Sequence, residues 1–69
     1  MKAYQLIKGT KVIVKDRAVG IPPHSIPVHQ EDVLTLGTLD GVYCNAINEK
    51  GDKVYIHGLT EVHEIINND

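Results

Sequence analysis

The chain has 69 residues and a net charge of −2, and 42% of it is hydrophobic with neither Trp nor Phe, so Val, Ile and Leu must build its core. A domain of this length buries only about 60% of the surface its unfolded chain exposes, which excludes a second domain, a deep catalytic cleft and a thick aromatic core. No apolar run reaches the roughly 18 residues of a membrane span, "MKAYQLIKGT" lacks the apolar stretch of a secretory signal, and the single Cys44 has no internal disulfide partner. Together these features predict a cytoplasmic protein with no membrane partner.

Charge is unevenly spread. Residues 1 to 17 hold five bases (Lys2, Lys8, Lys11, Lys15, Arg17) and one acid (Asp16), while the rest holds two bases and eight acids, so the two parts run at +4 and −6. Either a partner reads this asymmetry, or a closed fold sets the basic end beside the acidic one and the two compensate.

In chain order, "KGTKVIVKD" alternates with Val12 and Val14 on one face, the two-residue period of a strand, after a turn at Gly9. Gly20 to Pro27 follows, inside "GIPPHSIPVH", where prolines remove donors and push their neighbours into extended geometry; neither helix nor central strand is possible there. "EDVLTLGTLDG" reads as a second strand with Leu34 and Leu36 inward, ended by Gly37 or by the Asp40-Gly41 turn signal. "VYCNAIN" places Val42, Cys44 and Ala46 on one face, and "KVYIH" places Val54 and Ile56 opposite Tyr55 and His57, the two joined as a hairpin by "NEKGD". "EVHEI" supplies a short last strand, and Asn67–Asp69 should fray. Five short strands at close spacing predict an all-β small barrel spanning 1–69 as a single domain.

From Ser25 to Ile65 the chain resembles a Src-homology-3-like barrel of bacterial or phage type. "EDVLTL" corresponds to the second strand of that family, "DGVYCNA" to the third, "KGDKVYI" to the fourth and "HGLTEV" to a short 3₁₀ turn with the last strand, while "KVIVKD" stands where the first would be. The resemblance implies that the proline stretch is the long loop after the first strand, with Ile26 and Val28 pointing into the core. It also implies that the proline-binding groove of the family is missing: the Trp position holds Val42 or Tyr43, the Pro position holds His57, and Gly58, Leu59 and Thr60 form the turn. What remains is a non-enzymatic protein-interaction module, suited to an accessory or regulatory protein of a bacterium or phage, with a nucleic-acid-associated module as the alternative.

Candidate residues follow from the pairing. Setting Ile47 opposite Lys53 puts Asn45 against Tyr55 and Tyr43 against His57, so these four cluster on the outer face, where tyrosines serve interfaces or simply stabilise a thin sheet. His24, at the loop tip, is a further residue a partner could read. For nucleic acid the candidates are Lys8, Lys11, Lys15 and Arg17, against a pI of about 6.0 and without an aromatic on the same strand. His24, His29, His57, His63 and Cys44 lack zinc-ligand spacing, so no metal or cofactor is implied. No nucleophile, base and orienter stand at plausible positions. The N-terminal "KAYQLI" could pair across an exposed edge, leaving monomer and weak homodimer both open.

The prolines have a mechanical reading as well, since they lower the entropy of a long loop in a domain with little stability to spare. Replacing Pro22 and Pro23 by Gly is expected to lower the melting temperature, followed by circular dichroism, more than it alters binding.

Overall fold

The computed structural model describes residues 1–16 and 26–65. Arg17, His24 and the Gly20 to Ser25 part of the proline loop lie outside the described residues, as does the tail Asn67–Asp69. A 3₁₀ helix, Ala3–Gln5, precedes five strands: β1 (Lys11–Val14), β2 (Val33–Asp40), β3 (Tyr43–Asn48), β4 (Lys53–His57) and β5 (Val62–Glu64). The strands make one antiparallel sheet of order β4-β3-β2-β1-β5, and no α-helix occurs among the described residues.

One face of this sheet is the core. Val12 and Val14, Leu34 and Leu36, Cys44 and Ala46, Val54 and Ile56, and Val62 are all buried, each strand contributing alternate residues as the period of two requires. Each fully buried Val, Leu or Ile contributes about 1.5–3 kcal/mol. Because the described residues supply no second layer, a single sheet can hide a whole face only by curling over it, with Ala3, the partly buried Leu6 and Val28 filling in from the loops. Val28 thus fastens the end of the proline loop to the core, as its position implies, but Ile26 is 41% exposed and does not.

Four further expectations are corrected. The sheet is open: β4 and β5 form its two edges with no ladder between them, so the closed barrel is not realised as a hydrogen-bonded cylinder. The 3₁₀ helix lies at Ala3–Gln5 and not before β5, where the chain makes a single turn closed by Thr60 N–H to His57 C=O at 2.9 Å. Within that turn Gly58 N–H donates to Val42 C=O and Gly58 C=O accepts from Tyr4 N–H. Val42 is 57% exposed, since β3 starts only at Tyr43 and Val42 completes the turn after Gly41, whose φ of 64° suits glycine.

Finally, the N-terminal segment does not offer a free strand. Met1 C=O accepts from Val62 N–H at 2.8 Å, Lys2 bridges Glu61, and Ala3 N–H donates to Thr60 C=O at 3.0 Å, so this segment covers the outer edge of β5 in its own chain. Glu61 anchors the arrangement electrostatically by accepting from the Met1 ammonium and pairing with Lys2 Nζ at 3.4 Å.

The hydrogen bond from the Met1 ammonium, helped by Lys2, holds the Glu61 carboxyl below its usual range. A carboxylate with a depressed folded-state pKa stabilises the fold fully above its unfolded value, about 4.3, and the benefit is lost as pH falls through the lower folded value. Acid titration of the melting temperature is therefore expected to show a decline below about pH 4.3 that Glu61→Gln reduces. Because Glu61 is exposed, the effect is small and is screened by added salt.

Candidate interaction site

The β3–β4 hairpin has the predicted register: Tyr43 opposite His57, Asn45 opposite Tyr55, Ile47 opposite Lys53. The Tyr43 and His57 rings meet edge to face with centroids 6.2 Å apart, and the Lys53 ammonium lies 5.9 Å from the centre of the Tyr55 ring. The four residues named from the sequence are thus on one face, but they differ in how much they have left to offer. Asn45 donates from Nδ2 to Thr38 Oγ1 at 3.0 Å and accepts at Oδ1 from Thr38 N–H at 3.2 Å, so its amide is committed to β2. His57 Nδ1 accepts from Leu59 N–H at 3.1 Å, which fixes the turn beyond β4.

The reason for the Asn45 contacts is a break in the β2–β3 ladder. Leu36 pairs with Ala46 but Leu39 pairs with Cys44, so β2 carries one residue more than β3 over this stretch. Asn45 fills the gap. Gly37 allows the approach, since a Cβ there would stand 2.9 Å from the Asn45 carbonyl oxygen and collide with its side chain.

The same break relocates Leu39. Without the extra residue it would share a face with Tyr43; with it, Leu39 falls opposite Cys44, on the core face, at the end of the sheet. There it joins Tyr4 from the 3₁₀ helix, Val42 and Leu59 around a groove of about 230 Å³ whose floor is the buried Gly58 and whose wall includes His57. Tyr4, Leu39, Val42 and Leu59 are each more than half exposed. The backbone holds them in place: Tyr4 N–H bonds to Gly58 C=O at 2.9 Å and Gly58 N–H to Val42 C=O at 2.8 Å. Sequence reasoning missed this groove, although one signal was present, because Leu39 is out of phase with Leu34 and Leu36 and the strand period leaves it unassigned.

Of the basic candidates, Lys8, Lys11 and Lys15 are among the described residues. Lys15 pairs with Glu31 at 3.3 Å, Lys11 borders a shallow hollow with Glu49, and Lys8 is exposed in the turn before β1. Glu31 holds a φ of 75°, unusual for a residue with a side chain, and its N–H bonds to Val14 C=O at 2.7 Å. The basic and acidic parts therefore partly compensate within the chain, through Lys15 with Glu31 and Lys2 with Glu61. Among the described residues no three His, Cys, Asp or Glu side chains converge as metal ligands. Cys44 is buried, and desolvation pushes its thiol pKa up, against a smaller opposing pull from the Gly37 backbone. No described helix is long and apolar enough to cross a membrane.

No family model, no curated protein and no solved structure matches this chain. The site therefore stands on its geometry.

Gly37→Ala is expected to cost about 1–3 kcal/mol, since the added methyl displaces Asn45 and leaves its hydrogen bonds to Thr38 unmade. Denaturant unfolding measures the cost. The same variant with Asn45→Ala should lose much less than the sum of the two single changes.

Proposed function

We propose that the chain is a non-enzymatic protein-interaction module of the Src-homology-3-like kind, acting as an accessory or regulatory protein of a bacterium or phage, and that the groove of Tyr4, Leu39, Val42 and Leu59 receives an apolar side chain of its protein partner. One observation carries the reading: four large apolar side chains, each more than half exposed, converge on one groove in a domain with a thin core. Leaving each in water forgoes on the order of 1 kcal/mol, a substantial part of the stability that so small a fold has available. A contiguous apolar patch of this kind marks an interaction site more often than scattered exposed residues do.

Two further features support it. The long connection between β1 and β2 agrees with the loop that the resemblance sets after the first strand. Val42, which the resemblance sets at the Trp position with Tyr43 as the alternative, and His57, which it sets at the Pro position, both line the groove. Aliphatic Leu39, Val42 and Leu59 beside the rings of Tyr4 and His57, with no indole among them, suit an apolar side chain better than a proline ring stacked on an indole. Tyr43 and Tyr55 flank His57 on the adjoining hairpin face and extend the contact surface.

The test is affinity capture with groove and basic-face variants compared side by side. Leu59→Asp and Val42→Asp, both at exposed positions, are expected to reduce capture of the partner by at least about tenfold with unchanged circular dichroism. Tyr43→Ser combined with Tyr55→Ser should weaken it less. Lys8→Glu with Lys11→Glu and nuclease treatment should leave it intact. Capture that survives both groove variants, or that disappears with nuclease, would transfer the function to the nucleic-acid reading.

A further inference from the structure

The two edges of the sheet are treated differently. At β5 the N-terminal segment covers the start of the outer edge, with Val62 N–H bonded to Met1 C=O and Lys2 bridging Glu61. At β4 nothing among the described residues lies alongside. The β3–β4 ladder runs without a break through five residue pairs, and β4 contains no proline or bulge of the kind that blunts an edge.

Which groups this leaves open follows from the register. Asn48 N–H bonds to Asp52 C=O at 3.0 Å and Gly58 N–H to Val42 C=O at 2.8 Å, so the even-numbered residues of this segment face β3. Antiparallel pairs alternate, so the N–H and C=O groups of Lys53 and Tyr55 point away from β3. His57 C=O also points outward but already accepts from Thr60 N–H. The free edge is thus a short run of backbone donors and acceptors centred on Val54.

We infer that two copies of this chain associate through β4, running antiparallel about Val54, with Lys53 of each opposite Tyr55 of the other. A second copy is the occupant that this edge itself specifies. In that register the unpaired N–H and C=O of Lys53 meet those of Tyr55 in hydrogen-bonded pairs, and by the two-fold symmetry every one of these groups finds a partner. The side chains fit the same register. Lys53 already lies over the Tyr55 ring of its own strand, and across the two-fold axis each ammonium faces the tyrosine ring of the other copy. No acidic side chain on β4 has to be buried against another, since its residues are Lys53, Val54, Tyr55, Ile56 and His57. This contact lies beyond the groove assigned above to a different partner, shares only Tyr55 with the surface around it, and does not depend on that reading.

Sedimentation equilibrium of the intact chain up to about 1 mM, a range that covers weak dimers, together with amide exchange read at several concentrations, tests the inference. The expected result is a doubling of mass with protection of the Lys53 and Tyr55 amides that rises with concentration, while Val54 and Ile56 stay unchanged. Tyr55→Pro removes an outward-facing donor from each copy without touching the bonds to β3, and should weaken association about thirtyfold. Should that variant fail to fold, the wild-type amides decide. A chain that is monomeric at every concentration overturns the inference. So does a dimer whose Lys53 and Tyr55 amides exchange at the monomer rate, a folded Tyr55→Pro variant that dimerises as tightly, or protection that appears only on adding a different protein.

Discussion

The extra residue that β2 inserts between Leu36 and Leu39, stitched to β3 by Asn45, is the constraint on which the shape of this protein turns. Strand alternation has a period of two, so one inserted residue exchanges the faces of everything beyond it. Before the break, Leu34 and Leu36 fill the core. Beyond it, Leu39 keeps to the core side, level with the buried Cys44, but is itself more than half exposed and becomes a wall. A bulge also increases the local twist, which is what a lone sheet needs if it is to curl over its own buried face.

The groove is therefore the unfinished end of the core. Its floor, Gly58, is buried, and its walls come from four places in the chain: the N-terminal 3₁₀ helix, the end of β2, the turn before β3 and the turn after β4. Hydrogen bonds from backbone N–H groups tie these pieces together. Tyr4 N–H, Gly58 N–H and Leu59 N–H each have a named acceptor, on Gly58, Val42 and His57 respectively. Exposed apolar side chains held by satisfied backbone groups can stay in water without the turn unravelling, because the cost of an unpaired amide is avoided.

The same economy explains the edges. A small domain without an aromatic core gains from every donor and acceptor it can satisfy, and the N-terminal segment serves that end by covering β5. Charge follows the same course. Lys2 and Lys15, part of the basic N-terminal run, meet Glu61 and Glu31 from the acidic remainder, so the asymmetry seen along the sequence is partly cancelled in space.

Much of the sheet was legible in the sequence. Alternation named Val12, Val14, Leu34, Leu36, Cys44, Ala46, Val54 and Ile56 as core residues and set the β3–β4 register, because side chains i and i+2 on a strand must share a face whatever surrounds it. The groove was not legible in this way. Tyr4, Val42 and Leu59 sit in turns and a 3₁₀ helix, where no period relates sequence to direction, and Leu39 lies beyond a bulge that Gly37 permits but does not announce. Which residues alternate into the core followed from local pattern alone, and Asp40-Gly41 was one of two turn signals the chain offered for the end of β2, the other being Gly37. Only the tertiary structure decided that the sheet stays open, that the N-terminus closes one of its edges, and that four distant apolar side chains meet in one groove, because each of these depends on contacts between segments that the sequence keeps far apart.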